Sequence, residues 1–489
     1  MTDQTERILE LFQQINAIPR CSKNEEAVCR WIGRWAHDRD LAVRSDAAGN
    51  LVIEVPASPG FESAPIVVFQ GHVDMVCEKT PESAHDFSKD PIRHVVDGDW
   101  LCADQTSLGA DNGVAVAMGM ALAMDDQTPH PPLELLFTVD EETGLTGAQA
   151  LAPGFVKGRI LLNVDSEDEG VFTVGCAGGR DSHLTLPLER GPLGLKLQRF
   201  KLAACGMHGG HSGIDINKHR ASANKILARG LDTLWHNGPF QLVRLAGGTT
   251  HNAIAREAEA VLVMDPARMD EAVSAVLALE QALRFEYRQT EPNLSLLLSP
   301  TDGDGPGEAV TESGTRTVID LLLALPHGVS AMSADIPGLV ETSANLAVVD
   351  DSKGPLKILH SKRSAVMSRL AAITADMNAM ARMAGASVET GTEYPAWEPD
   401  MASSLLDRCK TVYQKRFAAE ATVEIIHAGL ECAIIGSKYS GMDMISFGPT
   451  MENPHSPMER LYLPSISRVW DFIAALMESY RPQPQQEGP

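Results

Sequence analysis

The chain has 489 residues, 44% of them hydrophobic, with 40 Gly and 29 Pro; this is more than one ordinary domain and enough to bury at least one large core. With 65 acidic against 41 basic residues the formal charge is −24. That average field repels a nucleic-acid backbone and disfavours nucleic-acid partners, leaving solubility and a weak bias towards cationic or neutral substrates as its consequences. No run approaches the ~20 apolar residues of a membrane span, so no membrane partner is expected.

The opening MTDQTERILELFQQI carries acids and reads as an amphipathic helix rather than a signal peptide, which makes the cytoplasm the expected location. Residues 5–45 read as helical, followed by a strand over 51–55 after the turn signal Ala48-Gly49-Asn50. The continuous apolar runs at 66–69, 133–139 and 160–164 predict strands buried on both faces, and 113–124 (GVAVAMGMALAM) predicts a buried helix. Strands alternating with helices predict an α/β sheet with helices on both faces. From about 185 to 394 two similar halves follow, each of about 100 residues, the first running 197–287 and the second opening with a strand at 294–298. They predict an inserted α+β lid domain built from two like units. After Trp397 the α/β texture returns, with a helix over 401–417, strands at 421–428 and 444–447, a last helix from 467 to about 480 and a loose tail, 481–489. The expected organisation is a split catalytic domain, 1–184 and 395–489, interrupted by the insertion at 185–394. The 8 cysteines are scattered without a C-x-x-C pair and are expected to be reduced, mostly buried thiols; none has a nucleophile signature.

Five segments share one feature: an apolar strand or helix end that finishes in side chains able to bind metal. Open α/β sheets collect ligands outside the carboxyl ends of their strands. In IVVFQ-Gly71-His72-Val73-Asp74, the H-x-D spacing puts both side chains on the same side; His72 suits a metal ligand, and Asp74 suits the acceptor that fixes its tautomer. In Ser107-Leu108-Gly109-Ala110-Asp111-Asn112-Gly113, Asp111 reads as the N-cap of the next helix, yet the flanking glycines would serve a close approach of backbone to a ligand. In LLFTVD-Glu141-Glu142-Thr143-Gly144, Asp140, Glu141 and Glu142 repel one another unless something positive sits between them; the alternative is a solvated turn. Asp165 follows the strand ILLNV, with Ser166-Glu167-Asp168-Glu169 reading as solvated. His455, in a loop after the last strand, is the residue type needed to close a second metal site. Together these segments supply two histidines and three carboxylates, with one glutamate to spare. Oxygen and imidazole ligation suits zinc, cobalt or manganese better than calcium. Two ions ~3.5–4 Å apart, sharing one carboxylate, would activate a water and steady a tetrahedral oxyanion. The general base would be the glutamate that binds neither ion.

In this order the five segments resemble the di-zinc peptidase family of carnosinases, aminoacylases and succinyl-diaminopimelate desuccinylase. The stretches NVDSEDEGVFTVGCAGG, GGHSGIDI and HAGLECAII are similar to its aminoacyl-histidine (Xaa-His) dipeptidase branch. The resemblance implies two Zn2+ per chain, with Co2+ or Mn2+ as substitutes. It implies His72, Asp111 and Asp165 on one ion and Asp111, Glu142 and His455 on the other, with Asp111 bridging. It makes Glu141 the base and acid, and Asp74 the residue that orients His72. His211 of GGHSG matches the histidine that polarises the scissile carbonyl. Asn252 matches an asparagine near the substrate carboxylate, although the family's proline is Ala255 here. Arg363 is the candidate for the substrate's C-terminal carboxylate. Glu431, between apolar neighbours, reads either as a hydrogen-bonded structural acid or as an anchor for the peptide's free amine.

The expected function is therefore metal-dependent hydrolysis of dipeptides, with a small peptide as substrate. An amidohydrolase acting on N-acyl amino acids, or a carboxypeptidase, would share every metal residue. A catalytically silent binding protein is disfavoured because Glu141 and all five ligands stand. A two-metal phosphoesterase is disfavoured because no basic phosphate cradle accompanies them. A homodimer stays open.

Overall fold

The computed structural model describes residues 3–193, 197–301, 307–334 and 336–482; of the expected loose tail, 483–489 lie outside the described residues. The chain divides into two compact units, the first comprising Met1–Cys176, Trp397–Ile425 and Leu430–Pro489, the second Ala177–Ala396 and Ile426–Gly429.

The first unit is built on an eight-stranded sheet in the order Ala42–Ser45, Leu51–Val55, Leu133–Thr138, Val67–His72, Ile160–Asn163, Asp443–Ser446, Val171–Cys176, Thr422–Ile426. The apolar runs become its centre. Every residue of Val67–His72 and Leu133–Thr138 is buried, as a strand covered by helices on both faces requires. Val67–His72 runs parallel to both Leu133–Thr138 and Ile160–Asn163. Their carboxyl ends therefore point the same way, and Asp74, Glu141, Glu142 and Asp165 all emerge at one edge of the sheet. The helix Ala110–Ala123 is buried almost throughout; its small side chains let it lie close to the sheet, and a Cβ on Gly119 would stand 3.0 Å from the Phe69 ring.

The second unit is one antiparallel sheet in the order Ser295–Pro300, Gln198–Cys205, Ala258–Met264, Gln241–Gly247, Val340–Asp350, Leu356–Ser364, Gly178–Leu186, Ser387–Tyr394, with Gly328–Met332 beside Val340–Asp350. It is two βαββαβ halves joined edge to edge where Gln241–Gly247 meets Val340–Asp350. The first half runs Gln198–Cys205, helix Ala223–His236, Gln241–Gly247, Ala258–Met264, helix Met269–Glu286, Ser295–Pro300. The second runs Gly178–Leu186, helix Glu312–Ala324, Val340–Asp350, Leu356–Ser364, helix Met367–Met383, Ser387–Tyr394. The two like units are present, but they are nested rather than consecutive. The strand expected to open the second half, at 294–298, pairs with Gln198–Cys205 and closes the first. The second half opens instead with Gly178–Leu186, paired with Leu356–Ser364 and Ser387–Tyr394 across the whole length of the inserted half. Periodicity reports that a strand exists; the pairing partner is chosen by contacts with distant parts of the chain.

Two expectations fail: within the stretch read as helical, only Asp3–Asn16 and Glu26–His37 are helices and Ala42–Ser45 is a strand, and the cysteines are not all free. Cys21 and Cys77 form a disulfide rather than two free thiols, while the other six cysteines are free. A parallel bridge between Cys21 and Met75 brings the two segments together, a pairing invisible in local sequence. Among the described residues no helix is long and apolar enough to cross a membrane.

Candidate metal centre

His72 is the last residue of its strand and 1% exposed, with Nδ1 3.3 Å from Asp74 Oδ1. Asp74 is fully buried. Its Oδ1 also accepts from the Glu141 amide (3.0 Å), and its Oδ2 accepts from the Glu142 amide (3.2 Å) and the Ser22 hydroxyl (2.8 Å). One carboxylate thus orients the histidine and pins the backbone of the two glutamates. Asp140, the third acid of that run, is held apart by the hydroxyls of Thr143 and Thr146.

Asp111 stands between the two histidines, with Oδ1 3.1 Å from His72 Nε2 and Oδ2 3.0 Å from His455 Nε2. Asp165 Oδ1 lies 3.5 Å from His72 Nε2, and Glu142 Oε2 lies 3.0 Å from His455 Nε2. Two groups able to hold a metal ion result, His72–Asp111–Asp165 and Asp111–Glu142–His455, each with ligand atoms within 4.8 Å of one another. They share Asp111, and Glu141 lies beside them, close enough to form a further group with His72 and Glu142. Of the acids after Asp165, Glu167 and Asp168 are exposed.

The electrostatics are those of acids packed against acids. Burial, then the neighbouring Asp111, pushes Glu142 up to about 7. Burial raises Glu141 well above the carboxylate range; His72 opposes this, and Glu142, Asp165 and Glu431 reinforce it. Oxygens Glu142 Oε1 and Asp165 Oδ1 are buried without a hydrogen-bond partner. A cationic occupant relieves the repulsion and gives those oxygens a partner, so the donor set fits metal ions.

Three residues that sequence reasoning passed over hold this edge together. Asn112 Oδ1 accepts from the His72 amide (3.1 Å) while its Nδ2 donates to Val164 O (2.6 Å), tying two strand ends. Glu459 accepts from the amides of Leu108 (2.7 Å), Gly109 (2.9 Å), Ala110 (2.7 Å) and Asp111 (3.3 Å). The start of the helix is therefore capped by Glu459, and Asp111, read from sequence as its N-cap, is released to face the histidines. Arg20, buried, donates to the carbonyls of Val73 (2.9 Å), Asp74 (3.0 Å) and Gly109 (2.5 Å). Its guanidinium occupies the space that a Cβ on Gly109 or Gly113 would need. Those glycines admit Arg20, where the sequence suggested a ligand. No local signal marks these three, because their partners lie tens to hundreds of residues away.

Glu431 is fully buried at the first turn of the helix Glu431–Lys438. Its Oε2 accepts from Gln70 Nε2 (2.6 Å) and Thr138 Oγ1 (2.6 Å), and burial pushes it up to about 7. These are the contacts of a hydrogen-bonded core acid; only Oε1, which has no partner, is left for an amine.

The remaining candidates belong to the second unit. His211 Nδ1 accepts from the amides of Gly213 (3.2 Å) and Ile214 (3.1 Å). A ring nitrogen that accepts twice carries no proton, so the neutral imidazole holds its proton on Nε2 and can donate from there. Asn252 is exposed and adjoins this turn, its carbonyl accepting from the Ser212 amide at 2.7 Å. Arg363 is 6% exposed on the strand Leu356–Ser364, opposite Ser343. Burial, then Arg363 and His211, depress His427 to about 3, which keeps that ring neutral beside the two.

A model of Peptidase family M20/M25/M40 matches residues 68–479. The chain belongs to that family. The peptidase is 37% identical over 469 residues to the cytosol non-specific dipeptidase of Escherichia coli (strain K12), covering 96% of each chain. Its structure resembles that of aminoacylhistidine dipeptidase from Vibrio alginolyticus with a TM-score of 0.83 and 36% identity, over 98% of this chain and 97% of that one. It resembles aminopeptidase PepT from Bacillus cereus with a TM-score of 0.56 and 15% identity, over 98% of this chain and 99% of that one, a likeness of fold alone.

Proposed function

We propose that this peptidase is a dipeptidase that uses two zinc ions, held by His72, Asp111 and Asp165 and by Asp111, Glu142 and His455. The observation that carries the reading is Asp111, whose two oxygens stand 3.1 and 3.0 Å from two histidines that each lead a separate ligand group. The names of the two relatives with over a third identity, a cytosol non-specific dipeptidase and an aminoacylhistidine dipeptidase, support the substrate class and a cytoplasmic setting.

When bound, the ions supply Lewis-acid polarisation of water and carbonyl. The chain's own residues do the rest. Glu141 takes the proton of the attacking water at its carboxylate and returns it to the leaving amine. Asp74 holds His72 Nδ1 and the amides of Glu141 and Glu142, so base and ligand keep one geometry. His211 donates from Nε2 to the scissile carbonyl oxygen, where charge develops. Arg363 pairs with the substrate's terminal carboxylate, Asn252 contacts the same end, and Glu431 offers Oε1 to the amine.

The test is a substrate panel on the metal-free protein and on protein reloaded with zinc. Dipeptides should be cleaved only after reloading, and in preference to tripeptides and N-acyl amino acids. Faster release of amino acids from N-acyl substrates would replace this reading with the amidohydrolase one.

A further inference from the structure

Arg363 is a guanidinium only 6% exposed, yet among the described residues no carboxylate forms an ion pair with it, and its Nε lacks a hydrogen-bond partner. A buried cation in that condition is suited to an anionic ligand and needs something to hold its long side chain in place.

The sheet register supplies the holder. Gly179, on the strand Gly178–Leu186, pairs with Arg363 on one side and with Tyr394 on the other. Residues directly opposite one another in adjacent strands project to the same face, so Arg363, Gly179 and Tyr394 form one row whose middle member has no side chain. The Tyr394 ring fills that gap. A Cβ on Gly179 would collide with its Cε1, Cζ and Oη atoms, and a Cβ on Gly429 would stand 2.9 Å from Cε2. Across the gap Tyr394 Oη accepts a hydrogen bond from Arg363 Nη1 at 2.5 Å.

We propose that Tyr394 is a positioning residue for Arg363. By taking one N–H of the guanidinium, the phenol fixes the rotation of the fork and leaves its remaining donors aimed at the substrate's carboxylate. Gly179 and Gly429, lacking a Cβ, leave the ring the space it occupies. The proposal rests on reading Arg363 as the carboxylate site. It adds a specificity device of three strands, in which the preference for a free C-terminus depends on the hydroxyl that holds Arg363.

The experiment compares kcat and KM for a dipeptide and for its C-terminal amide in the zinc-loaded full chain. In Tyr394→Phe, KM for the free acid should rise about ten- to a hundredfold, the loss of one hydrogen bond to a charged group, with kcat changing far less. The acid-to-amide preference in kcat/KM should fall by a similar factor, a ratio independent of how much protein is folded. Gly179→Ala, which displaces the ring, should reproduce this shift. In an Arg363→Ala background, adding Tyr394→Phe should change the ratio no further. Equal losses on acid and amide, or a Tyr394→Phe effect that persists without Arg363, would overturn the positioning role. An Arg363→Ala chain that keeps the wild-type acid preference would overturn the carboxylate reading itself, and this inference with it.

Discussion

In the first unit His72 ends, and Glu142 and Asp165 follow, three parallel strands whose carboxyl ends face one way, so their convergence at a single edge is a consequence of topology. In the second unit His211 ends the short strand Gly210–His211, paired with Ala253–Ile254, and Arg363 and Tyr394 sit on longer antiparallel strands, where nothing in the topology favours one end. There, placement depends on register: Arg363 meets Tyr394 only because Gly179 is the residue between them. A parallel sheet gathers chemistry at its edge once the strands are buried, whereas an antiparallel sheet must specify each pairing separately.

Substitutions at the two kinds of site should separate accordingly, and the largest effect is expected at the parallel edge. Glu141→Ala should keep two zinc ions and lose about 10²–10⁴-fold in kcat, the usual loss on removing a general base. Glu142→Ala should lose metal as well, measured by metal analysis after gel filtration. Near-wild-type turnover in zinc-replete Glu141→Ala, or two tightly held ions in Glu142→Ala, would break the assignment.

At the second unit the contrast is sharpened by a pair of variants. His211→Ala removes both the acceptor of two amides and the Nε2 donor; His211→Asn can keep an acceptor near the position of Nδ1 and removes only the donor. Both should keep full metal content and lose about 10²–10³-fold in kcat, as when one oxyanion donor is deleted. Recovery of activity in His211→Asn would mean that His211 only closes its turn.

The smallest expected effect tests whether the parallel edge is self-sufficient. Glu459→Ala strips the acceptor from the amides leading into Asp111 and should lower stability by about 1–3 kcal/mol in urea titration, the penalty for buried donors left unpaired. Zinc affinity should weaken with it, because Asp111 loses its seat. Unchanged zinc affinity in a destabilised Glu459→Ala chain would show that the strand ends place Asp111 without help from the cap.

What the sequence determined by itself was everything carried within a few residues. The buried runs at 66–69, 133–139 and 160–164 became the central strands, and His72, Glu141, Glu142 and Asp165 just beyond them fall in the groups at the edge. Burial on both faces needs a continuous apolar run, and a charged side chain straight after one is a local, readable anomaly. The tertiary structure alone decided the rest. Glu459 reaches an amide 348 residues away, and Asn112 joins two strand ends that carry no mark of it. Cys21 and Cys77 pair across 56 residues of chain, and one βαββαβ half is threaded between the first strand and first helix of the other. Periodicity is set by a side chain's immediate neighbours and is the same whichever strand lies alongside. Pairing, capping and disulfide choice are settled by which surfaces the folded core brings into contact, and that information is spread over the whole chain.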